Sequence, residues 1–316
     1  MILCCGEALI DMIPAATASG RQGYVPHEGG AIFNTAIALG RLGVRTGMLT
    51  GISRDFLGET LLASLRANRV DTSLVVQSER PTTLAFVNLR NGGASYTFYD
   101  ENSAGRMLVE DDMPRVPDDV QAMLLGGISL IGEPAAIALV QLARREAGRR
   151  VIMLDPNIRP VMIRDGKRHR VRMRELIALA DIVKVSDEDL DWLVPGDEPL
   201  ASKCDGIFRS GPSVVILTRG AAGASARFGR DDMIAVPASR VDVVDTIGAG
   251  DTFSAGVLAH LAENRLLVRD RLADIDAVSM REALHLGARA AAITVSRAGA
   301  DPPWRDELKG PRPEGE

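Results

Sequence analysis

The stretch with the clearest chemical potential runs from Val241 to Leu261 and places a carboxylate beside two glycines. Its central heptapeptide, DTIGAGD, ends at Asp251. Phe253, Val257 and Leu261 then recur every four residues, which predicts a helix with Asp251 in its first turn. The free N–H groups and the dipole of a helix N-terminus attract anions. A carboxylate there can complement the dipole, or it can accept a proton from a nucleophile that attacks the anion.

A second glycine turn lies near the N-terminus, in the sequence HEGGAIFN that ends at Asn34. The spacing after it predicts a helix that begins near Asn34, and asparagine is a common helix cap. Asp11 follows Leu9 and Ile10, where the end of a strand would place its carboxylate at the rim of a sheet. There it can cap a turn or accept hydrogen bonds from hydroxyl groups.

The elements that must position these residues alternate between strand and helix. Val241 and Val243 predict a short strand before the DTIGAGD turn, and Val44–Gly51 predicts another strand. After residue 123, polar residues follow each of four predicted strands, at the edge where open α/β sheets bind ligands. The strands are Leu124–Ile131, Val151–Leu154, Ile182–Val185 and Val214–Leu217, and the polar residues are Glu133, Asp155 with Asn157 and Arg159, Ser186–Asp189, and Thr218 with Gly220. This pattern predicts a doubly wound, mostly parallel sheet flanked by helices.

A hairpin interrupts the alternation. Thr83–Leu89 and Ala94–Tyr99 read as strands joined by Arg90-Asn91-Gly92-Gly93, which predicts a separate small sheet. The helices Leu57–Asn68 and Leu284–Val295 are also predicted, and the alanines of the second predict close packing.

Composition narrows the class of protein. The chain has 316 residues, and 46% of them are hydrophobic. Its net charge of −5 does not favour binding to nucleic acid or to an acidic membrane, because both are negatively charged. Three cysteines, without metal or pairing spacing, fit a reducing cytoplasm. The N-terminus does not resemble a signal peptide, and no apolar run approaches the roughly 18 residues of a membrane helix.

DTIGAGD resembles the D-T-x-G-A-G-D signature of the ribokinase-like (PfkB) sugar kinase family. Further matches are G-G-x-x-x-N around Gly30, D-x-N-x-R-P from Asp155, and T-x-G-x-x-G from Thr218. GGISLIGEP, DPNIRP and ADIVKVSDED resemble more narrowly the bacterial fructokinases of that family. The resemblance runs from about residue 2 to residue 300.

The resemblance implies an ATP-dependent sugar kinase, most simply one that converts fructose to fructose 6-phosphate. It makes Asp251 the catalytic base and the backbone of Gly248, Ala249 and Gly250 the anion hole. The residues implied for the sugar are Asp11, Gly29, Gly30, Asn34, Phe98, Glu133 and Arg159. Those implied for ATP are Lys184, Ser186, Thr218, Gly220, Gly223 and Gly250. The chain has no Walker A pattern, so a P-loop mechanism is excluded.

Two cations are implied as well. Mg²⁺ would bridge the phosphates mainly through water. Where other members carry N-x-x-E, this chain has Ser186-Asp187-Glu188-Asp189, which leaves open which of the three acids orders the magnesium water. K⁺ would lie beside the anion hole at groups matching Asp245, Ile247, Arg297 and Gly299, although Ala300-Asp301-Pro302-Pro303 departs from the usual pattern.

We therefore predict a ribokinase-like α/β domain over residues 1–300, with lid strands inserted at about 11–28 and 83–100. Residues 301–316 form a tail whose end we expect to be disordered. The alternatives are a 2-keto-3-deoxygluconate kinase, in which Arg159 would bind the carboxylate of the substrate, a nucleoside kinase, and a non-catalytic relative. The partners are a sugar and ATP, with a homodimer through the lid as a further possibility.

Overall fold

The computed structural model describes residues 1–90, 93–229 and 232–309. Within these residues the strands are β1 (Ile2–Cys5), β2 (Leu9–Ala16), β3 (Gln22–Gly29), β4 (Thr46–Leu49), β5 (Gly51–Ser53), β6 (Val70–Asp71), β7 (Val76–Ser78), β8 (Leu84–Arg90), β9 (Gly93–Tyr99), β10 (Ala122–Gly126), β11 (Val151–Asp155), β12 (Ile182–Ser186), β13 (Val214–Thr218), β14 (Ala224–Phe228) and β15 (Asp232–Val236). The α-helices are α1 (Ala31–Arg41), α2 (Phe56–Ala67), α3 (Ala135–Glu146), α4 (Gly166–Leu179), α5 (Asp187–Leu193), α6 (Leu200–Phe208), α7 (Ala249–Glu263), α8 (Arg269–Ala273) and α9 (Ala277–Val295).

Nine strands form one large sheet in the order β15-β14-β13-β12-β11-β10-β1-β4-β6. The pairs from β6 to β13 are parallel, and β14 and β15 add an antiparallel edge. The chain runs outward from β1 through β4 to β6, and then returns to β10 on the other side of β1. The doubly wound, mostly parallel sheet predicted from the sequence is confirmed.

Both faces of this sheet are covered by helices. Successive side chains of a strand point to opposite faces, so in β1 Ile2 and Cys4 join one core while Leu3 and Cys5 join the other. Helices α1, α2, α7, α8 and α9 pack on the first face, and α3 to α6 pack on the second. Because β1 is buried on both faces, all of its side chains are apolar and do not alternate with polar ones.

The separate small sheet is also present and has the order β3-β2-β8-β9. Asp11 pairs with Ala85, which in turn pairs with Phe98, so these three side chains share one face. Asp11 is the third residue of β2, and its predicted position at the end of a strand is wrong. Residues 91 and 92, in the predicted hairpin turn, lie outside the described residues.

The short strand predicted at Val241 and Val243 is absent, because residues 237–248 form no strand. Val241 is 41% exposed and Val243 is 63% exposed, so their alternation reflects no buried sheet face. The N–H groups of Val244 and Asp245 instead donate to the carbonyl of Val295 at the end of α9. This part of the chain leaves the sheet after β15 and lies along the helix end.

Other predicted boundaries shift at glycines and turns. The strand predicted over Leu124–Ile131 ends at Gly126, because Gly127 turns the chain with φ +67° into a 3₁₀ helix at Ile128–Leu130. The strand predicted over Val44–Gly51 is split into β4 and β5. Helix α1 begins at Ala31, three residues before the predicted start.

The start of the predicted tail packs against the body of the protein. The guanidinium groups of Arg41 and Arg69 lie 5.4 and 5.0 Å from the ring centroid of Trp304, and Leu308 is buried. Residues 310–316, which include the end predicted to be disordered, lie outside the described residues. Among the described helices, none combines the length and apolar character that crossing a membrane requires.

Candidate active site

A cavity of about 950 Å³, hereafter the main cavity, opens at the carboxyl ends of the parallel strands. Glu7 and Ile128, which follow the neighbouring strands β1 and β10, line the end of the cavity beside these two strands. Asp11 and Phe98 line it from the small sheet. Because the strand order reverses between β1 and β10, this is where open α/β sheets bind their ligands.

The turn before α7 presents two free backbone donors to this cavity. Gly248 is the N-cap of α7 with φ +76°, and a Cβ on it would lie 2.8 Å from the Cβ of Ala300. Conformation and contact therefore both require glycine. Within the described residues, the N–H groups of Gly250 and Asp251 have no hydrogen-bond partner. The geometry is that of an anion site.

Asp251 is buried in the first turn of α7, with 6% of its surface exposed. Its Oδ2 accepts a hydrogen bond of 2.8 Å from Nδ2 of Asn34, and its side chain makes no capping bond. Burial raises the pKa of Asp251 to about 7, against the lowering effect of the Asn34 bond. The carboxyl group is thus oriented by a partner and has the proton affinity of a general base near neutral pH.

Asn34 does not cap a helix, because the N-cap of α1 is Gly30 with φ +107°. Glu7 holds this turn: its Oε1 accepts from the N–H of Ala31 at 3.0 Å, and its Oε2 accepts from the N–H of Ser129 at 3.3 Å. One buried carboxylate therefore joins the turns after β1, β3 and β10. Glu7 is not among the site residues predicted from the sequence, although an acid two positions after the buried run ILCC was a signal.

Asp11 provides an acceptor for a ligand at the small-sheet side of the main cavity. Its carboxylate has no hydrogen-bond partner among the described residues, and burial raises its pKa to about 6. Gly29 does not line the cavity, but any side chain at that position would collide with the Asp11 carboxylate. Phe98 and Arg159 border the same space, and Nη1 of Arg159 donates to the carbonyl of Ile158 at 3.0 Å.

A buried ion pair lies beneath the anion site. Nζ of Lys184 is 3.0 Å from Oδ2 of Asp155, and the hydroxyl of Ser254 donates to the same oxygen at 3.0 Å. A Cβ on Gly250 would lie 3.1 Å from Nζ of Lys184, so the ammonium group is directly against the turn. Burial lowers the pKa of Lys184, but Asp155 and Asp189 outweigh that effect and keep the lysine charged.

The remaining predicted nucleotide residues line the other end of the main cavity. They are Ser186, Thr218, Gly220 and Gly223. Ser186 also caps α5, where its hydroxyl accepts from the N–H of Asp189 at 3.0 Å. Ala288, Ala291 and Ala292 of α9 also border the cavity. An apolar wall beside strand-end polar groups suits a flat heteroaromatic ring.

Residues 1–307 match the family model described as pfkB family carbohydrate kinase. The chain belongs to this family. Over 283 residues this pfkB-family chain is 50% identical to a fructokinase from Rhizobium leguminosarum bv. trifolii, a match that covers 89% of the chain and 86% of the relative.

Solved structures of similar pfkB-family fold include a fructokinase from Xylella fastidiosa with bound ATP. It matches with a TM-score of 0.89 and 28% identity, over 97% of this chain and 96% of that one. An aminoimidazole riboside kinase from Salmonella enterica, complexed with aminoimidazole riboside and an ATP analog, matches with a TM-score of 0.83 and 27% identity, over 97% and 98% of the two chains.

Glu133 is, with Gly29, one of two predicted sugar residues of this pfkB-family chain that do not line the main cavity. It does not line the main cavity, and its Oε1 pairs instead with the guanidinium groups of Arg168, at 2.8 Å, and Arg172. The sequence could not show this, because the two arginines lie more than thirty positions further along the chain, on α4.

The acids predicted for magnesium have different surroundings. Asp189 is buried and accepts from the N–H groups of Ile158, at 2.8 Å, and Ser186, at 3.2 Å. Asp187 does not line the main cavity, whereas Glu188 is exposed and does. Among the described residues no group of three or more His, Cys, Asp or Glu side chains forms a metal cluster. A mostly hydrated Mg²⁺ needs no such cluster, and the carboxylate of Glu188 fits one.

Two of the segments predicted for potassium meet at Asp245. Its Oδ1 accepts from the N–H of Ile247 at 3.0 Å, and its Oδ2 accepts from the N–H of Gly299 at 2.9 Å. The arrangement holds the loop before the anion site against the segment after α9. The carbonyl of Gly299 accepts from the N–H of Asp301 at 3.0 Å, and potassium binding at these loops stays a prediction.

Proposed function

We propose that this protein transfers the γ-phosphoryl group of ATP to fructose and releases fructose 6-phosphate. The observation that carries the proposal is Asp251, a buried carboxyl group of raised pKa, oriented by Asn34 beside two free backbone donors in one cavity. The 50% identity to the Rhizobium fructokinase supports fructose as the acceptor.

In the reaction the sugar hydroxyl loses its proton to Asp251 as its oxygen attacks the γ-phosphorus, and ADP leaves. The free N–H groups of Gly250 and Asp251 stabilise the charge that develops on the phosphoryl oxygens. Phosphoryl transfer depends mainly on such positioning and electrostatics. The Lys184 ammonium group, held against Gly250, adds a positive charge at the same place.

Asp11, Asn34 and Arg159 would bind the sugar hydroxyls, and Gly29 and Gly30 shape the turn between them. Ser186, Thr218, Gly220 and Gly223 would surround the nucleotide. Mg²⁺ supplies charge neutralisation at the phosphates when bound, and Glu188 is the acid that would order its water. K⁺ would bind at the backbone of Ile247, Arg297 and Gly299 beside Asp245.

A kinase for 2-keto-3-deoxygluconate is the second candidate, because Arg159 places a guanidinium in the main cavity. A nucleoside kinase is the third, in view of the likeness to the aminoimidazole riboside kinase structure. Coupled assays of ATP turnover with fructose, ribose, ketodeoxygluconate and adenosine compare them directly. We expect kcat/KM for fructose to exceed the others by about tenfold or more, a difference of ~1.4 kcal/mol in transition-state stabilisation. A tenfold preference for ketodeoxygluconate would refute fructose, and no turnover of any acceptor would refute a kinase.

The pH dependence of kcat/KM follows from the pKa of Asp251. Since the base must be ionised to accept a proton, kcat/KM should rise with pH and level off above about 7. Initial rates between about pH 5 and pH 9, at saturating Mg²⁺, measure the profile. A profile that is flat across this range would show that no group of such pKa is needed in the basic form.

We also propose a homodimer through the outward face of the small sheet, in a cytoplasmic protein. Phe86 lies edge-to-face with Tyr24 and Tyr99 at centroid distances of 5.0 and 5.5 Å, and Tyr99 is 61% exposed. Exposed aromatic clusters are typical of association surfaces. The three cysteines are buried and free, which fits a reducing compartment.

A further inference from the structure

A second cavity of about 480 Å³ lies beside the main cavity, and its function is not accounted for by phosphoryl transfer. It is bordered by β9, by the loops at residues 131–133 and 161–165, and by the first turns of α4. Tyr96 and Phe98 line both cavities, so a single layer of aromatic side chains separates the two spaces. Its volume lies within the roughly 300–1,000 Å³ of small-molecule sites.

The lining of this second cavity is unusually rich in arginine for a chain of net charge −5. Four guanidinium groups face it, from Arg106, Arg164, Arg168 and Arg172. Arg106 is paired with Asp100 at 2.9 Å, and Arg164 is paired with Glu101, which does not line the cavity.

Arg168 and Arg172 share one carboxylate oxygen, Oε1 of Glu133. Asp165 forms no ion pair with them among the described residues, and its Oδ1 accepts from the N–H of Arg168 as the cap of α4. Arg172 also donates from Nη1 to the carbonyls of Leu130 at 3.0 Å and Ile131 at 3.2 Å. The side chain of Arg168 has five N–H donors and contacts only Glu133 among the described residues. Four arginines against the three lining carboxylates of Asp100, Glu133 and Asp165 leave one positive charge, and the donors of Arg168 remain available to a ligand.

A buried histidine completes the wall. His169 is 3% exposed and lines the second cavity, and its ring has no hydrogen-bond partner within the described residues apart from a contact with the backbone of Leu130. Burial, together with Arg172 and Arg170, lowers the pKa of His169 to about 4, so the ring is neutral at neutral pH. A neutral imidazole offers one N–H donor and one acceptor. Buried polar groups without partners are uncommon and call for a ligand or water.

We infer that the second cavity is a binding site for a phosphomonoester. Paired guanidinium groups recognise phosphate through parallel N–H···O bonds. Tyr96 and Phe98, whose rings stack with centroids 6.0 Å apart, give an apolar wall for the carbon skeleton of a phosphorylated sugar. Inorganic phosphate has the phosphate group but lacks the sugar carbons that would contact the aromatic wall. Binding of inorganic phosphate and of a phosphorylated sugar can therefore be compared.

The test uses the histidine side chains as reporters, because the chain contains only four: His27, His169, His260 and His285. In the full-length protein with isotope-labelled histidine, NMR signals of His169 are followed during titration with inorganic phosphate, a hexose 6-phosphate and the unphosphorylated hexose. We expect both phosphates to shift the His169 signals with saturation, and the unphosphorylated hexose to leave them unchanged. Tighter binding of the hexose phosphate would assign a role to the aromatic wall, and equal binding would limit recognition to the phosphate group.

The double variant Arg164→Gln/Arg168→Gln removes two exposed charges of the second cavity and should weaken phosphate binding by about tenfold or more. The matched control Lys167→Gln/Arg174→Gln removes the same charge from exposed positions nearby that do not line the cavity. Binding in the control should equal that in the parent. No shift of His169 with either phosphate, or equal weakening in the two double variants, would overturn the site. Neither outcome depends on ATP turnover, so the test is independent of the proposed function.

Discussion

Replacing Asp251 with asparagine is expected to lower kcat by at least about 100-fold, the range of general acid–base catalysis. The substitution keeps the size of the side chain and can keep the hydrogen bond to Asn34, but it removes the proton acceptor. Binding of ATP should change little, because the free donors at the anion site are the backbone N–H groups of Gly250 and Asp251. Steady-state kinetics and calorimetric ATP titration separate these two effects.

The stability of the Asp251→Asn variant tests whether the loss of kcat comes from unfolding. The raised pKa of Asp251 means that the folded state loses stability as pH rises from the unfolded value of 3.8 through about 7. Asparagine carries no such charge, so the variant should melt at the same temperature as the parent, or higher, at about pH 8. Asp276→Asn, at the N-cap of α9, makes the same chemical change away from the site and should retain kcat. Parent-like turnover in Asp251→Asn would show that Asp251 is not the base.

Replacing Lys184 with methionine is expected to lower the free energy of unfolding by about 3–5 kcal/mol, the cost of leaving one partner of a buried ion pair alone. The stranded group is Asp155, whose side chain is 5% exposed. Burial raises the pKa of Asp155 and Lys184 opposes that rise, so without the lysine the carboxyl group is ionised in the fold only at a large cost. Chemical denaturation of the parent and the variant measures the difference.

Lys203 provides a matched control, because its side chain is equally buried but its partner Asp191 is 61% exposed. Lys203→Met leaves a hydrated carboxylate and should cost about 1 kcal/mol or less. A group of raised folded-state pKa destabilises the fold as pH rises, so the deficit of Lys184→Met should be larger at about pH 8 than at about pH 5. Equal losses in the two variants, or a deficit that does not change with pH, would contradict the account of this pair.

The sequence predicted the parts of the site that are contiguous in the chain. The DTIGAGD turn, the glycine turn before Asn34 and the polar strand ends each carry their own local signal, and glycine reports directly on backbone conformation. The alternation of strands with helices likewise predicted the doubly wound sheet. The strand predicted from the alternation of Val241 and Val243 was wrong, because exposed valines in an irregular segment give the same sequence pattern as a strand.

Contacts between distant segments could not be predicted from local patterns. Ser254 and Asp155 are 99 positions apart, and Asn34 and Asp251 are 217 apart, so only the packed sheet brings them into contact. The same holds for Glu133, whose arginine partners on α4 hold it away from the main cavity. The supporting residues, Glu7 above all, are therefore seen only in the folded structure.

The most direct test of the central claim is ³¹P NMR of a reaction mixture that contains the purified protein, ATP, Mg²⁺ and fructose. The proposed mechanism predicts that ATP disappears as ADP and fructose 6-phosphate accumulate in equal amounts, with Asp251→Asn forming neither at a comparable rate. Release of inorganic phosphate without any phosphorylated sugar, or an unchanged ATP spectrum in the parent protein, would contradict it.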